Sequence, residues 1–143
     1  MTADANQPAA LILLDLSAAF DTVDHRILLQ PLAACGVPGT ALLWVSSFLR
    51  DRTQRVQLGG HVSHTRSVHC GVPQGSALSP LLFNVYLQPL IVTLAQMDCH
   101  LFNYADDTQL FIKIDNSAQV NVQNILRFVT NWMTSNWLKI NPD

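Results

Sequence analysis

The sequence predicts an α+β fold, with helices packed on one face of an antiparallel sheet, and three observations predict it. Leu11-Ile12-Leu13-Leu14 is a short, unbroken apolar run that ends at Asp15, the mark of a buried strand. Two further β-prone runs, 99–102 and 110–114, flank Asp106-Asp107 as two strands flank a turn. Most of the remaining apolar residues recur at helical spacing, so strands and helices alternate as in a two-layer domain.

The N-terminal segment, 1–10, is rich in Ala, Asn and Gln and has no basic run ahead of an apolar one; it reads as a disordered tail without a signal peptide. Residues 11–16 form the first strand. Asp21 or Thr22 is expected to cap a helix through 34, which Gly36, Pro38 and Gly39 end. Thr40 would cap a second helix, 41–49, with Trp44, Val45 and Phe48 facing inward. Residues 54–58 alternate polar and apolar as a half-buried strand does, Gly59-Gly60 supplies a turn, and 61–69 returns as the second arm of a hairpin. A loop rich in Gly, Pro and Ser spans 70–79. Ser79-Pro80 then starts a helix, serine at the cap, that runs to about 95 and kinks at Pro89. After the acidic hairpin, Asn116-Ser117 caps a last amphipathic helix to 136, with Val120, Ile125, Val129, Trp132 and Met133 as its stripe. Residues 137–140 read as one more strand. Trp44, Trp132 and Trp137 are assigned to the core.

At 143 residues the chain fits a single domain, 11–143, and its 49% apolar content excludes a disordered one. No apolar stretch reaches the length of a membrane span, which argues against a membrane partner. Cys35, Cys70 and Cys99 form neither a disulfide framework nor a zinc pattern, which points to an intracellular site, nuclear or cytoplasmic. The five histidines have no ligand spacing and read as surface or structural residues. The net charge of −2 is awkward for a protein that grips phosphate unaided. Arg50, Arg52 and Arg55 form the only basic cluster, either a template-phosphate contact or a solvated helix end. All ten acidic residues are Asp.

Adjacent like charges repel, so Asp106-Asp107 between two strands asks for a cation. Asp15 ends another strand, and if the strands are neighbours three carboxylates converge, as two-metal nucleotidyl transfer requires. An exposed Asp-rich turn is the plainer alternative for the pair alone.

Three phrases in order carry a family likeness. Residues 13–21, LLDLSAAFD, resemble motif A of reverse transcriptases; 71–80, GVPQGSALSP, resemble motif B; and 104–107, YADD, resemble motif C. The phrases AFDTVDH at 19–25 and WLKINP at 137–142 resemble the non-LTR, LINE-type branch. The resemblance extends from 11 to 143. It implies a polymerase palm with a partial fingers hairpin, lacking the N-terminal fingers and the C-terminal thumb. It also implies RNA-templated synthesis of DNA, adding dNTPs to the 3′-end of a DNA primer on an RNA template, within a longer polyprotein that carries fingers, thumb and in some members an endonuclease. Asp15, Asp106 and Asp107 are the implied catalytic residues and ligands of two Mg²⁺ ions, with Mn²⁺ as a substitute. Phe20 would stack under the incoming sugar and exclude a 2′-hydroxyl. Gln74, Gly75 and Tyr104 complete the implied nucleotide site, with Ser76 and Ser79 as weaker phosphate contacts. A lysine that protonates the leaving pyrophosphate is expected beyond 143; Lys139 does not align with it. Two other readings stay open: a palm remnant that does not polymerise on its own, and an RNA-templated RNA polymerase, against which Phe20 argues.

Overall fold

A computed structural model describes residues 8–104, 107–114 and 118–141. Strand β1 (Ala9–Leu14) lies against β8 (Asp107–Lys113), which lies against β7 (Cys99–Tyr104), giving a three-stranded antiparallel sheet in the order β1-β8-β7. The register runs from Ala9↔Lys113 to Leu14↔Thr108, and from Cys99↔Ile112 to Tyr104↔Asp107. β1 starts two residues inside the stretch expected to be a tail, and residues 1–7 lie outside the described residues. Its side chains alternate rather than being buried throughout: Leu11 and Leu13 are 61% and 70% exposed. Two-fold alternation is what a sheet covered on one face imposes.

The covered face meets α4 (Ser79–Ala95), the central helix, which packs on β7 and on α2 (His25–Ala34). Leu82, Phe83, Tyr86, Leu87, Leu90 and Leu94 of α4 are all buried, with Leu110 and Ile112 of β8 in the same core. Pro89 lies within this helix, four residues before Thr93, whose hydroxyl donates to the Pro89 carbonyl at 2.9 Å. Helix α5 (Ala118–Ser135) buries Ile125, Val129 and Met133, one every four residues, as an amphipathic helix should. Its expected cap, Asn116-Ser117, and the side chain of Val120 lie outside the described residues. The chain then turns through Trp137 at φ 59°, where Leu138 N–H donates to the Met133 carbonyl at 2.9 Å. That left-handed close delivers β9 (Lys139–Ile140) to β2 (Leu16–Ser17), pairing Leu16↔Ile140.

Several local expectations change. Helix α1 (Ala19–Thr22) is a single turn, and the cap of α2 is Asp24, whose carboxylate accepts from the N–H groups of Arg26 and Ile27. In α3 (Gly39–Leu49) the cap is Pro38 rather than Thr40; Val45, Ser46 and Leu49 face inward, while Trp44 is 57% exposed and stacks on Phe48 at 5.9 Å. An i,i+4 aromatic pair along the helix surface takes the place of core burial. Trp137 is likewise exposed, because a left-handed turn residue projects away from the helix it ends. The hairpin forms as two ladders, β3 (Arg52–Gln54) on β6 (Arg66–Val68) and β4 (Gln57–Leu58) on β5 (His61–Val62). It stands off the core, so Val56 and Leu58 are exposed rather than half-buried.

Candidate functional site

Asp15 occupies the one-residue break between β1 and β2, where the chain leaves β8 and takes up β9. Two contacts from Asn141 hold it: Asn141 N–H donates to the Asp15 backbone carbonyl, and Asn141 Nδ2 donates to Asp15 Oδ2, both at 2.8 Å. The β1–β8 ladder closes at Leu14↔Thr108, so Asp15 and Asp107 are the residues that flank its last pair. The sequence folds that way because the apolar alternation of β1 and β8 allows only this register; a one-residue slip would turn Leu110 and Ile112 to solvent. Asp106 lies outside the described residues.

Asp15 and Asp107 are both exposed, and the one ion pair among the described residues joins Arg26 to Asp24 at 3.5 Å, so neither acid has its charge offset by a side chain described there. Hard carboxylate oxygens, open to solvent and lacking a cationic partner, suit a divalent cation such as Mg²⁺. Among the described residues no cluster of three or more His, Cys, Asp or Glu forms a complete metal set. The fit therefore rests on two exposed carboxylates that flank the last pair of one ladder. Beneath them, Thr108 is buried and donates to Asn103 Oδ1 at 2.7 Å, and Asn103 donates to Asn84 Oδ1 of α4 at 2.7 Å. This polar ladder ties the start of β8 to the central helix.

Next to Asp15, Leu16 begins the wall of a cavity of about 560 Å³ that Ala18, Phe20, Gln74, Gly75 and Ser76 also line. Phe20 is half-buried, its ring centroid 5.3 Å from that of Phe83 and tilted by 44°. Ala18 precedes it at φ 49°, a left-handed conformation costly for an alanine and concentrated at functional sites. Gln74 Nε2 donates to both carboxylate oxygens of Asp21, at 3.2 and 3.3 Å. Ser79 neither caps α4 nor opens to a ligand: it is buried, and its hydroxyl closes the loop on the Pro73 carbonyl at 2.6 Å. Near the start of the loop, Gly71 has φ 79° and lies so close to Phe20 and Asp21 that a Cβ would sit 2.8 Å from the Asp21 carbonyl oxygen. Gly71 N–H donates to Val23 O at 2.8 Å and Val72 N–H to Phe20 O at 2.7 Å, which joins the two halves of the cavity wall.

The Gly71 carbonyl receives His25 Nε2 at 2.8 Å and Arg52 Nη1 at 2.7 Å; since a carbonyl only accepts, the His25 proton sits on Nε2. Arg52 thus has a structural anchor at the base of the hairpin, while Arg50 and Arg55 are exposed. Arg50 also lines a second cavity of about 250 Å³ with Asp24, His25, Arg26 and His69. Tyr104, 84% exposed, pairs across the hairpin with Asp107. Asp24 carries a depressed pKa: burial pushes it up, but the Ile27 and Arg26 N–H groups and the Arg26 guanidinium outweigh that. Asn141, Asp21 and Gly71 were not among the expected site residues, Asp21 being read as a helix cap. Of these, only Gly71 left a local signal, a glycine heading a loop of turn residues.

The family model described as reverse transcriptase (RNA-dependent DNA polymerase) matches residues 1–143. The chain is 33% identical over 138 residues to an RNA-directed DNA polymerase from the mobile element jockey of Drosophila melanogaster, an alignment covering 91% of this chain and 15% of that protein. It is 29% identical over 143 residues to a Pol polyprotein from the type-1 retrotransposable element R2 of Popillia japonica, covering 93% of this chain and 23% of that one. The chain thus spans less than a quarter of the length of these curated relatives. Among solved structures, a truncated apo telomerase from Candida tropicalis superposes with a TM-score of 0.71 at 15% identity, over 96% of this chain and 30% of that one. A telomerase from Candida albicans in complex with a fragment of telomeric RNA gives 0.70 at 15% identity, over 96% of this chain and 27% of that one. At such identity the likeness is one of fold, and it agrees with the α+β palm expected from the sequence.

Proposed function

Because the chain belongs to the reverse transcriptase (RNA-dependent DNA polymerase) family, we propose that it is the palm and part of the fingers of an enzyme that copies an RNA template into DNA within a larger retrotransposon protein. The observation that supports this reading is the β1–β8 ladder, whose last pair, Leu14↔Thr108, is flanked by Asp15 and Asp107, next to a cavity lined by Leu16, Phe20, Gln74 and Gly75. Asp15, Asp106 and Asp107 would hold Mg²⁺, or Mn²⁺ in its place. The bound ions would lower the pKa of the primer 3′-hydroxyl and neutralise the triphosphate. The chain's own part is placement. Phe20, braced by Phe83, would close the cavity where the sugar's 2′-hydroxyl would sit, and Gln74, Gly75 and Tyr104 would border the incoming nucleotide. Arg50 and Arg55 are free to meet template phosphate. No helix among the described residues is long and apolar enough to cross a membrane; a nuclear or cytoplasmic site is part of the proposal and rests on the cysteine usage alone.

The test is primer extension on poly(rA)/oligo(dT) with dTTP and Mg²⁺, comparing the chain with its Asp15→Asn and Asp106→Ala variants. Template-dependent synthesis that both substitutions abolish, with the fold intact, supports the reading; synthesis that survives them refutes it. A second reading, a folded palm that does not polymerise on its own, is favoured by the net charge of −2 and by exposed Leu11, Leu13, Phe102 and Tyr104 on the open face of the sheet. Its mark is a well-folded chain silent in the same assay.

A further inference from the structure

Among the described residues, Asp15 Oδ2 has one side-chain partner, the Asn141 amide, 126 positions away in sequence and 2.8 Å away in space. We propose that Asn141 is a positioning residue for Asp15: its side-chain amide fixes the orientation of the carboxylate that would bind the metal. This rests on the reading of Asp15 given under Proposed function.

The same asparagine makes two separable contacts. Its backbone N–H donates to the Asp15 carbonyl and continues the β2–β9 ladder, a bond any residue but proline could make. The side-chain amide adds nothing to that ladder, since it leaves the backbone to reach Oδ2. An exposed aspartate otherwise turns freely about two side-chain torsions. Engaging Oδ2 from a fixed strand removes that freedom and leaves Oδ1, with the second lone pair of Oδ2, as acceptors for a cation. A primary amide suits the task, because its N–H groups donate to a carboxylate without adding the positive charge that would compete with a metal. Partners that orient a ligand in this way matter nearly as much as the ligand.

The fold delivers Asn141 to this point. Met133 is buried in the core, Leu138 N–H closes the end of α5 on its carbonyl at 2.9 Å, and Trp137 takes the left-handed turn. Leu138 is itself buried, so β9 leaves α5 from an anchored base. The carboxylate is thus oriented by the far end of the chain, through a helix terminus that touches no substrate.

The test uses the full 143-residue chain labelled with ¹³C at aspartate and ¹⁵N at asparagine. Without metal, the Asn141 side-chain amide should resist hydrogen exchange, and Asn141→Ala should shift the Asp15 carboxylate resonance. With Mn²⁺ as a paramagnetic probe, Asn141→Ala should weaken binding at Asp15 about 10-fold. Ile140→Val, which trims β9 packing and keeps the amide, should leave both readouts at wild-type values. An unchanged Asp15 resonance and unchanged Mn²⁺ affinity in Asn141→Ala would overturn the proposal, as would equal effects of the two substitutions. A wild-type chain that binds no Mn²⁺, with a protected Asn141 amide and an Asp15 resonance that shifts in Asn141→Ala, would sink the metal reading and leave the positioning role standing.

Discussion

Gly71→Ala should destabilise the chain by about 3–4 kcal/mol, from two separate causes. At φ 79° an L-residue carries left-handed strain of about 1–2 kcal/mol. The new methyl would also sit 2.8 Å from Asp21 O, 2.9 Å from Asp21 Cα and 2.9 Å from Phe20 O. All three are backbone atoms, which cannot swing aside as a side chain would, and overpacking of this kind costs typically 1–3 kcal/mol. Gly36 isolates the second cause: its φ is 80°, yet nothing lies within 4 Å of the equivalent methyl. Gly36→Ala should therefore cost only the strain, and the entropy lost by the unfolded chain is the same for both variants. The difference, about 2 kcal/mol, is the clash. For a chain of 143 residues it corresponds to a midpoint roughly 6–7 °C lower for Gly71→Ala than for Gly36→Ala in thermal unfolding followed by circular dichroism. If the two variants unfold within about 2 °C of each other, the seating of Gly71 against Phe20 and Asp21 is not as described.

Two further outcomes follow from the core and the cavity. The Tyr86 hydroxyl is buried and donates to Asn136 O at 2.7 Å; burial is the main cause that pushes its pKa up from 10.0 to about 12. The unfolded chain therefore loses this proton first, and stability should be complete below pH 10 and fall as the pH rises towards 12, a drop that Tyr86→Phe removes while costing about 1–2 kcal/mol at neutral pH. In an active enzyme, Phe20→Val should let rNTPs compete with dNTPs by about tenfold or more, read as the ratio of kcat/KM for the two sugars; an unchanged ratio would show that Phe20 only packs on Phe83.

Much of this fold and site was legible where chemistry is local. The run at Leu11–Leu14 announced a strand because it is short, apolar and bounded by polar residues, and Asp15 at its end followed directly; the exposure of Leu11 and Leu13 did not, since it depends on which face of the sheet is covered. The stripe of α5 was legible because Ile125, Val129 and Met133 repeat at helical spacing. What stayed hidden depends on partners distant in sequence. Trp44 reads as core by hydrophobicity, yet α3 is oriented by Val45 and Leu49, which leaves Trp44 exposed and stacked on Phe48, itself half-buried against the core. Asp21 and Thr22 read as caps by composition, yet both fall inside the single turn of α1, and Asp24 takes the role instead. Asn141 touches Asp15 only because β9 crosses to β2, and no local pattern encodes a crossing of that length.

The Gly71 carbonyl is a shared pivot. Arg52 reaches it from the root of the projecting ribbon and His25 from the head of α2, while the same glycine abuts the turn that carries Phe20. A load on the ribbon therefore bears on the peptide that abuts the Phe20 turn in the cavity wall. The ribbon, the head of α2 and the Phe20 turn thus meet at one peptide.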